Sequence, residues 1–312
     1  MIAAKKPIVV VGSINIDLVA NTERIPVGGE TISGHDFRIH AGGKGANQAV
    51  AVGRLGYPVR MIGRVGTDAF AAQMRSSLTS AGVDVTGVAT SEGSSGVAVI
   101  VVANNGENSI VVVSGANALL TPQDLDANIE IIRSAGLVLT QLEISLETVE
   151  HLAMLCTREG VPLILDPAPA RELPSSILKR VVWFTPNETE AAFFADRSTN
   201  KTESEDPSQV ARQLMSKGVE GVVLKLGARG AFVSVNGINQ SIAPFVVNAV
   251  DTTAAGDCFN GAFAVGLLMD KPSAEAARFA SAAAAISVTR AGAQPSMPSL
   301  AEVESLLAHS SK

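Results

Sequence analysis

The sequence predicts a doubly wound α/β protein built on a mostly parallel sheet, and three observations carry that prediction. Short runs rich in Val, Ile and Leu recur along the chain, amphipathic stretches separate them, and the two kinds of segment alternate over most of the 312 residues. Runs that are apolar at nearly every position fit strands covered on both faces. Strand and helix in alternation wind a parallel sheet whose faces the helices cover. A chain of this length can bury a full core, as one large α/β domain or two smaller ones. Residues 1–312 are read as a single domain.

The strand-like runs are 7–14, 59–65, 136–142, 161–166, 181–185 and 221–226. Helix-like stretches lie at 46–55, 70–81, 122–134, 146–159 and 208–217, and 201–207 reads as a polar loop. Two regions, around 20–40 and 96–114, read as strands with no helix between them. The second is a hairpin, since 97–103 and 108–113 flank the turn Asn104-Asn105-Gly106-Glu107. Together they predict a small β-sheet lid formed by about 16–41 and 96–115, with an edge extension of the main sheet as the alternative. The last third predicts Ala-rich helices over 255–269 and 273–289 and an amphipathic helix over 298–308.

Composition excludes several functions. Aromatic residues are only 4%, too few for platforms on which single-stranded nucleic acid stacks. The formal charge is -6, from 24 basic and 30 acidic residues without a Lys/Arg run, so no basic face awaits a phosphate backbone. The two cysteines, Cys156 and Cys258, are far apart and fit reduced thiols. His35, His40, His151 and His309 form no zinc-binding spacing. Lys5 and Lys6 precede an apolar run that is too short for a signal peptide, and no stretch reaches the roughly 18–20 apolar residues of a membrane span. A cytoplasmic protein is expected.

The chemistry concentrates in Val250-Asp251-Thr252-Thr253-Ala254-Ala255-Gly256-Asp257-Cys258-Phe259-Asn260-Gly261. A polar turn enters a helix whose first turn carries side chains no larger than methyl, followed by an acid. Amides at a helix start lack partners and lie at the positive end of the dipole, so an anion can reach them here. Asp257, beside that anion, could take a proton from an attacking alcohol. The plainer alternative is that it only complements the dipole.

Three further groups of residues fit a binding role. In the segment from Gly42 to Asn47 the glycines allow close backbone approach, and Lys44 and Asn47 offer donors to hydroxyls. It is not a phosphate loop of the Walker type, because Gly45 stands where Ser or Thr would bind magnesium. Asn15 and Asp17 follow the first strand at its carboxyl end, where open α/β sheets bind ligands, and alternation points both to one face. Asn187 and Glu190 have capping-box spacing, which accounts for them structurally whether or not they also bind.

Ala41-Gly42-Gly43-Lys44-Gly45-Ala46-Asn47-Gln48-Ala49 and the segment around Asp257 together resemble the two signatures of the ribokinase family of carbohydrate kinases. The similarity runs from Gly12-Ser13-Ile14-Asn15 to Arg290-Ala291-Gly292-Ala293-Gln294-Pro295-Ser296, nearly the whole chain. The resemblance implies a ribokinase-like fold and phosphoryl transfer from ATP, with Mg²⁺, to a small sugar. Ribose is favoured, 2-deoxyribose is the runner-up, and another pentose, fructose or a nucleoside follows. It makes Asp257 the base and puts an anion hole at Ala254, Ala255 and Gly256, to which the Asp257 amide adds. Asn15, Asp17, Gly42, Gly43, Lys44, Gly45, Ala46, Asn47 and Glu143 become sugar ligands. Asn187, Glu190, Lys225, Gly227, Ala228, Arg229, Gly230, Gly256 and Ser281 meet ATP. Asp251, Thr253, Ser287, Arg290, Gly292 and Ser296 match a monovalent-cation site, with K⁺ the expected activator, and two lids are expected to clasp in a homodimer.

Three positions depart from the family pattern. Lys225 stands where a hydroxyl residue is common, and could meet phosphate charge. Ser281 stands where a larger residue often packs near adenine. Cys258 replaces a common Thr, and a helix start that favours thiolate predicts sensitivity to thiol reagents. Two other classes fit poorly. Gly12-Ser13-Ile14-Asn15 lacks the GxGxxG of nicotinamide enzymes, and a non-catalytic sensor would be expected to have lost Asp257 or Gly256.

Overall fold

The computed structural model describes residues 5–195 and 206–310, so residues 201–205 of the expected polar loop lie outside the described residues. In chain order the elements are β1 (Ile8–Val11), β2 (Asn15–Thr22), β3 (Gly34–Gly42), α1 (Lys44–Arg54), β4 (Val59–Val65), α2 (Ala71–Ser80), β5 (Val83–Thr90), β6 (Gly96–Ala103) and β7 (Asn108–Val113). There follow α3 (Pro122–Ala127), α4 (Ile129–Ser134), β8 (Leu137–Thr140), α5 (Leu146–Glu159), β9 (Leu163–Leu165), α6 (Ser175–Leu178), β10 (Trp183–Phe184), α7 (Glu188–Phe194) and α8 (Pro207–Ser216). The chain ends with β11 (Gly221–Lys225), β12 (Ala231–Val235), β13 (Ile238–Ile242), α9 (Ala255–Leu268), α10 (Ser273–Ser287) and α11 (Leu300–His309).

The main sheet has nine strands in the order β13-β12-β11-β10-β9-β8-β1-β4-β5. From β11 to β5 every pairing is parallel, and β12 and β13 add an antiparallel edge. β1 shows why its sequence is apolar throughout. Ile8 and Val10 enter the core under α1, α9 and α10, while Val9 and Val11 enter the core under α3 and α5. All four are fully buried, each worth about 1.5–3 kcal/mol against exposure.

A separate four-stranded sheet, β3-β2-β6-β7, holds the two regions that broke the strand–helix rhythm. It is not an extension of the main sheet. The expected single helix over 122–134 is two, because Asn128 leaves helical geometry and its side chain donates to the Asp124 carbonyl at 2.8 Å. Strands β5, β12 and β13 are additions to the strands expected from sequence.

The topology sets the position of the site. The chain starts in the middle of the sheet, builds outward through β4 and β5, then returns to β8 on the other side of β1. Winding therefore reverses between β1 and β8, and the crevice beyond their carboxyl ends is where such sheets bind ligands.

Candidate active site

Five neighbouring strands send polar residues to that crevice from their carboxyl ends. Ser13 follows β1, Gln141 and Glu143 follow β8, Asp166 follows β9, Asn187 and Glu190 follow β10, and Lys225 ends β11. The starts of α1 and α9 face the same space. These two helices pack so closely that a Cβ on Gly261 would meet the Ala51 Cβ at 2.7 Å and the Gln48 carbonyl at 2.8 Å. That approach carries Asn47 and Gln48 to Asp257.

Asp257 lies in the first turn of α9 and is buried. Asn47 Nδ2 donates to its Oδ2 at 3.0 Å and Gln48 Nε2 to its Oδ1 at 3.2 Å. Burial pushes its carboxyl up to about 6; Lys44 and the Asn47 hydrogen bond oppose the shift, and Asp166 and Glu143 add to it. Asp17 is also raised to about 6, by burial first and then by Glu143 and Asp257. Glu190 is raised by burial despite the Lys225 ammonium. Burial alone would lower the pKa of Lys44, but Asp257, Asp166, Glu143 and Glu190 together raise it.

The start of α9 offers free donors. Ala254 caps it in the left-handed region, at φ 58°, a strain of about 1 kcal/mol for a residue with a Cβ. Among the described residues, the amides of Ala254, Gly256 and Asp257 have no acceptor. The Ala255 amide corrects the expectation from sequence: it turns back to the Thr252 carbonyl at 3.2 Å and is already engaged. Among the described residues, a Cβ added to Gly256 would meet only Lys225 Nζ, at 3.4 Å, so glycine leaves this side of the helix start open.

On the other side of the crevice Glu143 Oε2 accepts from Ser13 Oγ at 2.6 Å and from the Lys44 amide at 3.2 Å. This ties the Gly42–Asn47 segment, with Gly43, Gly45 and Ala46 between, to the strand beside it. Asn15 and Asp17 lie not on a continued β1 but on β2 of the smaller sheet. The Asn15 oxygen accepts from Asn117 Nδ2 at 2.7 Å, which leaves the Asn15 nitrogen for a ligand.

Lys225 is already engaged. Its ammonium is paired with Asp166 Oδ1 at 2.9 Å and mostly buried, so phosphate must compete for it. Arg229 pairs with Glu188 at the turn that holds Gly227 and Ala228, before Gly230. Asn187 and Glu190 do form the capping box, and a third bond between them, from Asn187 Nδ2 to Glu190 Oε1, measures 2.9 Å. Ser281, on α10, takes no part in this network, and its enclosed hydroxyl has no partner among the described residues.

The loops before α9 and after α10 are joined. Asp251 accepts from the Thr253 amide at 2.9 Å and the Gly292 amide at 2.8 Å, and these bonds hold its carboxyl below the usual range against partial burial. Ser287 and Ser296 donate to the carbonyls of Ala284 and Ala293, and Arg290 turns away to Glu302. Arg290 could therefore serve a cation only through its carbonyl. Cys258 overturns the reactive-thiol expectation. It is 1% exposed, and burial pushes its thiol up to about 12, which outweighs the helix start.

Sequence reasoning missed Asp166, Gln48, Gln141, Ser13 and Asn117 as members of this cluster. Asp166 could have been found by its place at a strand's carboxyl end, next to the β8 end already noted.

Residues 5–300 match the family described as pfkB family carbohydrate kinase. The chain is 42% identical over 306 residues to a ribokinase of Haemophilus influenzae, covering 98% of this chain and 99% of that protein. It is 38% identical over 302 residues to a deoxyribokinase of Salmonella typhi, covering 96% and 98%. A solved structure of Arabidopsis thaliana ribokinase complexed with ribose and ATP matches with a TM-score of 0.88 at 38% identity, over 97% of this chain and 99% of that one.

Proposed function

Because the chain belongs to the pfkB family of carbohydrate kinases, we propose that it moves the terminal phosphoryl group of ATP to the primary 5-hydroxyl of D-ribose, giving ribose 5-phosphate and ADP. One observation carries the reading: a buried carboxylate, Asp257, sits in a helix's first turn beside amides with no acceptor of their own. The sugar oxygen attacks the γ-phosphorus, its proton passes to Asp257, and the bond to the β,γ-bridging oxygen breaks. The amides of Gly256 and Asp257, at the positive end of the α9 dipole, hold the charge that develops.

Asn15, Asp17, Lys44, Asn47 and Glu143 meet the sugar's hydroxyls, with the backbone of Gly42, Gly43, Gly45 and Ala46. The nucleotide lies along Asn187, Glu190, Lys225, the turn from Gly227 to Gly230, and Ser281. Among the described residues no three His, Cys, Asp or Glu side chains form a ready metal cage. This fits Mg²⁺ carried on nucleotide phosphates and waters, with Glu190 and Asp166 as the hard-oxygen groups to take its water shell. When bound, Mg²⁺ supplies positive charge that offsets the phosphates. The loops that carry Asp251, Thr253, Ser287, Arg290, Gly292 and Ser296 would hold K⁺, which would supply positive charge beside the entry to α9. Both cysteines are free and buried, which suits a reducing compartment, and the enzyme works in the cytoplasm. No described helix is long and apolar enough to cross a membrane.

ATP-coupled turnover on ribose, 2-deoxyribose, fructose and nucleosides, with and without K⁺, tests the substrate and the activator. Ribose is expected to give the highest kcat/KM, and K⁺ to raise it. Loss of one hydroxyl's hydrogen bonds should cost 2-deoxyribose about 10- to 100-fold. Equal or better use of 2-deoxyribose would favour the activity named in the Salmonella relative, and better use of fructose or a nucleoside would sink both.

The four-stranded sheet serves as a lid that keeps water from the reacting phosphate. Its face turned from Asp17 exposes Phe37, Ile39, Val99, Val111 and Val113, while Ile110 and Val112 are exposed on the face that carries Asp17. Apolar strands in water are rarely left uncovered, and a second copy of this chain covers them here. Phe37→Asp combined with Val111→Asp is expected to turn a dimer into a folded monomer in sedimentation. A wild-type chain that sediments as a monomer would refute the pairing.

A further inference from the structure

We propose that Gln48 is a positioning residue that couples the proton-accepting carboxylate to the lysine facing the phosphate. The inference rests on Asp257 being the base. The single amide nitrogen of Gln48 donates to Asp257 Oδ1 at 3.2 Å and to Asp166 Oδ2 at 3.0 Å. The other oxygen of Asp166 holds Lys225 Nζ at 2.9 Å. Gln141 Nε2 completes the chain from behind, donating to Gln48 Oε1 at 2.6 Å. The order is Gln141 to Gln48, Gln48 to both carboxylates, and Lys225 to the second carboxylate.

Chemistry fixes the direction of this relay. If the Gln48 amide were turned over, its oxygen would face two carboxylates with no proton between them. Gln48 is fully buried, so no water replaces a donor that is lost. The chain also connects the two halves of the reaction. Asp257 faces the hydroxyl, while Lys225 Nζ lies 3.4 Å from the position a Cβ would take on Gly256, at the mouth of the free amides. When phosphate draws Lys225 from Asp166, the carboxylate left behind keeps its bond from Gln48, and Asp257 keeps its orientation.

Charged groups converge on Asp257 from several elements: Lys44 from α1, Asp17 from β2, Glu143 after β8, Asp166 after β9, and Lys225 at the end of β11. Among these carboxylates, a neutral double donor stabilises negative charge without adding any. Removing it raises the pH at which Asp257 becomes a base.

The test is the pH profile of kcat in Gln48→Met, which keeps length and shape but has no donor. We expect the acid limb to move up by about one to two units, turnover at pH 7 to fall roughly 2- to 10-fold, and alkaline pH to restore much of it. The KM for ribose should move little. Gln141→Met should shift the limb in the same direction by less, and adding it to Gln48→Met should cost nothing further, because it acts through Gln48. A merely structural role would lower thermal stability and activity at every pH alike. If Gln48→Met does not fold, Gln48→Glu replaces it, with a larger upward shift expected from the added charge. An acid limb that does not move in the folded variant, or fully additive losses in the double variant, would overturn the proposal. If Asp257→Asn is inactive while the Gln48 profile is unchanged, only the role of Gln48 falls; if Asp257→Asn turns over normally, the base assignment itself falls.

Discussion

Asp257→Asn is expected to lower turnover by about 10²-fold or more while leaving ribose affinity nearly unchanged. The substitution keeps the shape and removes the proton acceptor. The variant should fold, because Asn47 Oδ1 is buried without a partner. A turn of the Asn47 amide lets that oxygen accept from the amide nitrogen that the substitution introduces, so no donor is left facing a donor. Wild-type turnover should itself fall as pH drops through about 6, where the Asp257 carboxylate takes up a proton.

Stability moves the other way. The folded-state value of Asp257 lies above its ordinary 3.8, so ionising it costs more in the folded protein than in the unfolded chain. That cost is absent below about pH 4, grows as pH rises to about 6, and is complete above it. Removing the charge should therefore stabilise the variant at about pH 7–8 by roughly 1–3 kcal/mol. Paired measurements of kcat and thermal midpoint check both signs. An Asp257→Asn protein with near-normal turnover would rule out Asp257 as the base.

Gly256→Val should reduce kcat/KM for ATP by about 10²- to 10³-fold, the scale of losing an anion-hole donor. A Cβ at this position has nothing closer than Lys225 Nζ, at 3.4 Å. The chain therefore folds around it, and the cost falls on the phosphate. The γ-carbons of valine cover the Gly256 and Asp257 amides and crowd the Lys225 ammonium. Gly256→Ala should lie between the two, since one methyl shields less. Normal ATP kinetics in a folded Gly256→Val would remove these amides from the reaction.

The main sheet's interior was legible because strands buried on both faces must be apolar throughout; 59–65 and the helix 146–159 emerged at the ends the structure gives them. β12 and β13 were overlooked although Asn236-Gly237 between them is a strong two-residue hairpin signal, with φ of 51° and 77°. β5 was overlooked although Val83-Asp84-Val85-Thr86 alternates. At the site, Asp257, Gly256 and Asn47 could be read from short motifs whose neighbours in sequence are neighbours in space. Gln48 could not, and neither could the role of Asp166 beyond its place at a strand's carboxyl end. Their meaning lies in bonds spanning 118 and 209 positions of chain, and no local pattern records which buried amide meets which acid. The thiol of Cys258 was misjudged for a related reason: a helix start can be read from sequence, but the depth at which it is buried cannot.

The crevice gathers the carboxylates of Asp17, Glu143, Asp166, Glu190 and Asp257 around two ammonium groups, Lys44 and Lys225. An uncharged pentose can enter such surroundings without electrostatic penalty. A nucleotide stripped of its counterions would bring further negative charge into a place that already holds an excess, and would be repelled. A nucleotide is therefore better matched to this crevice when it carries its cations with it.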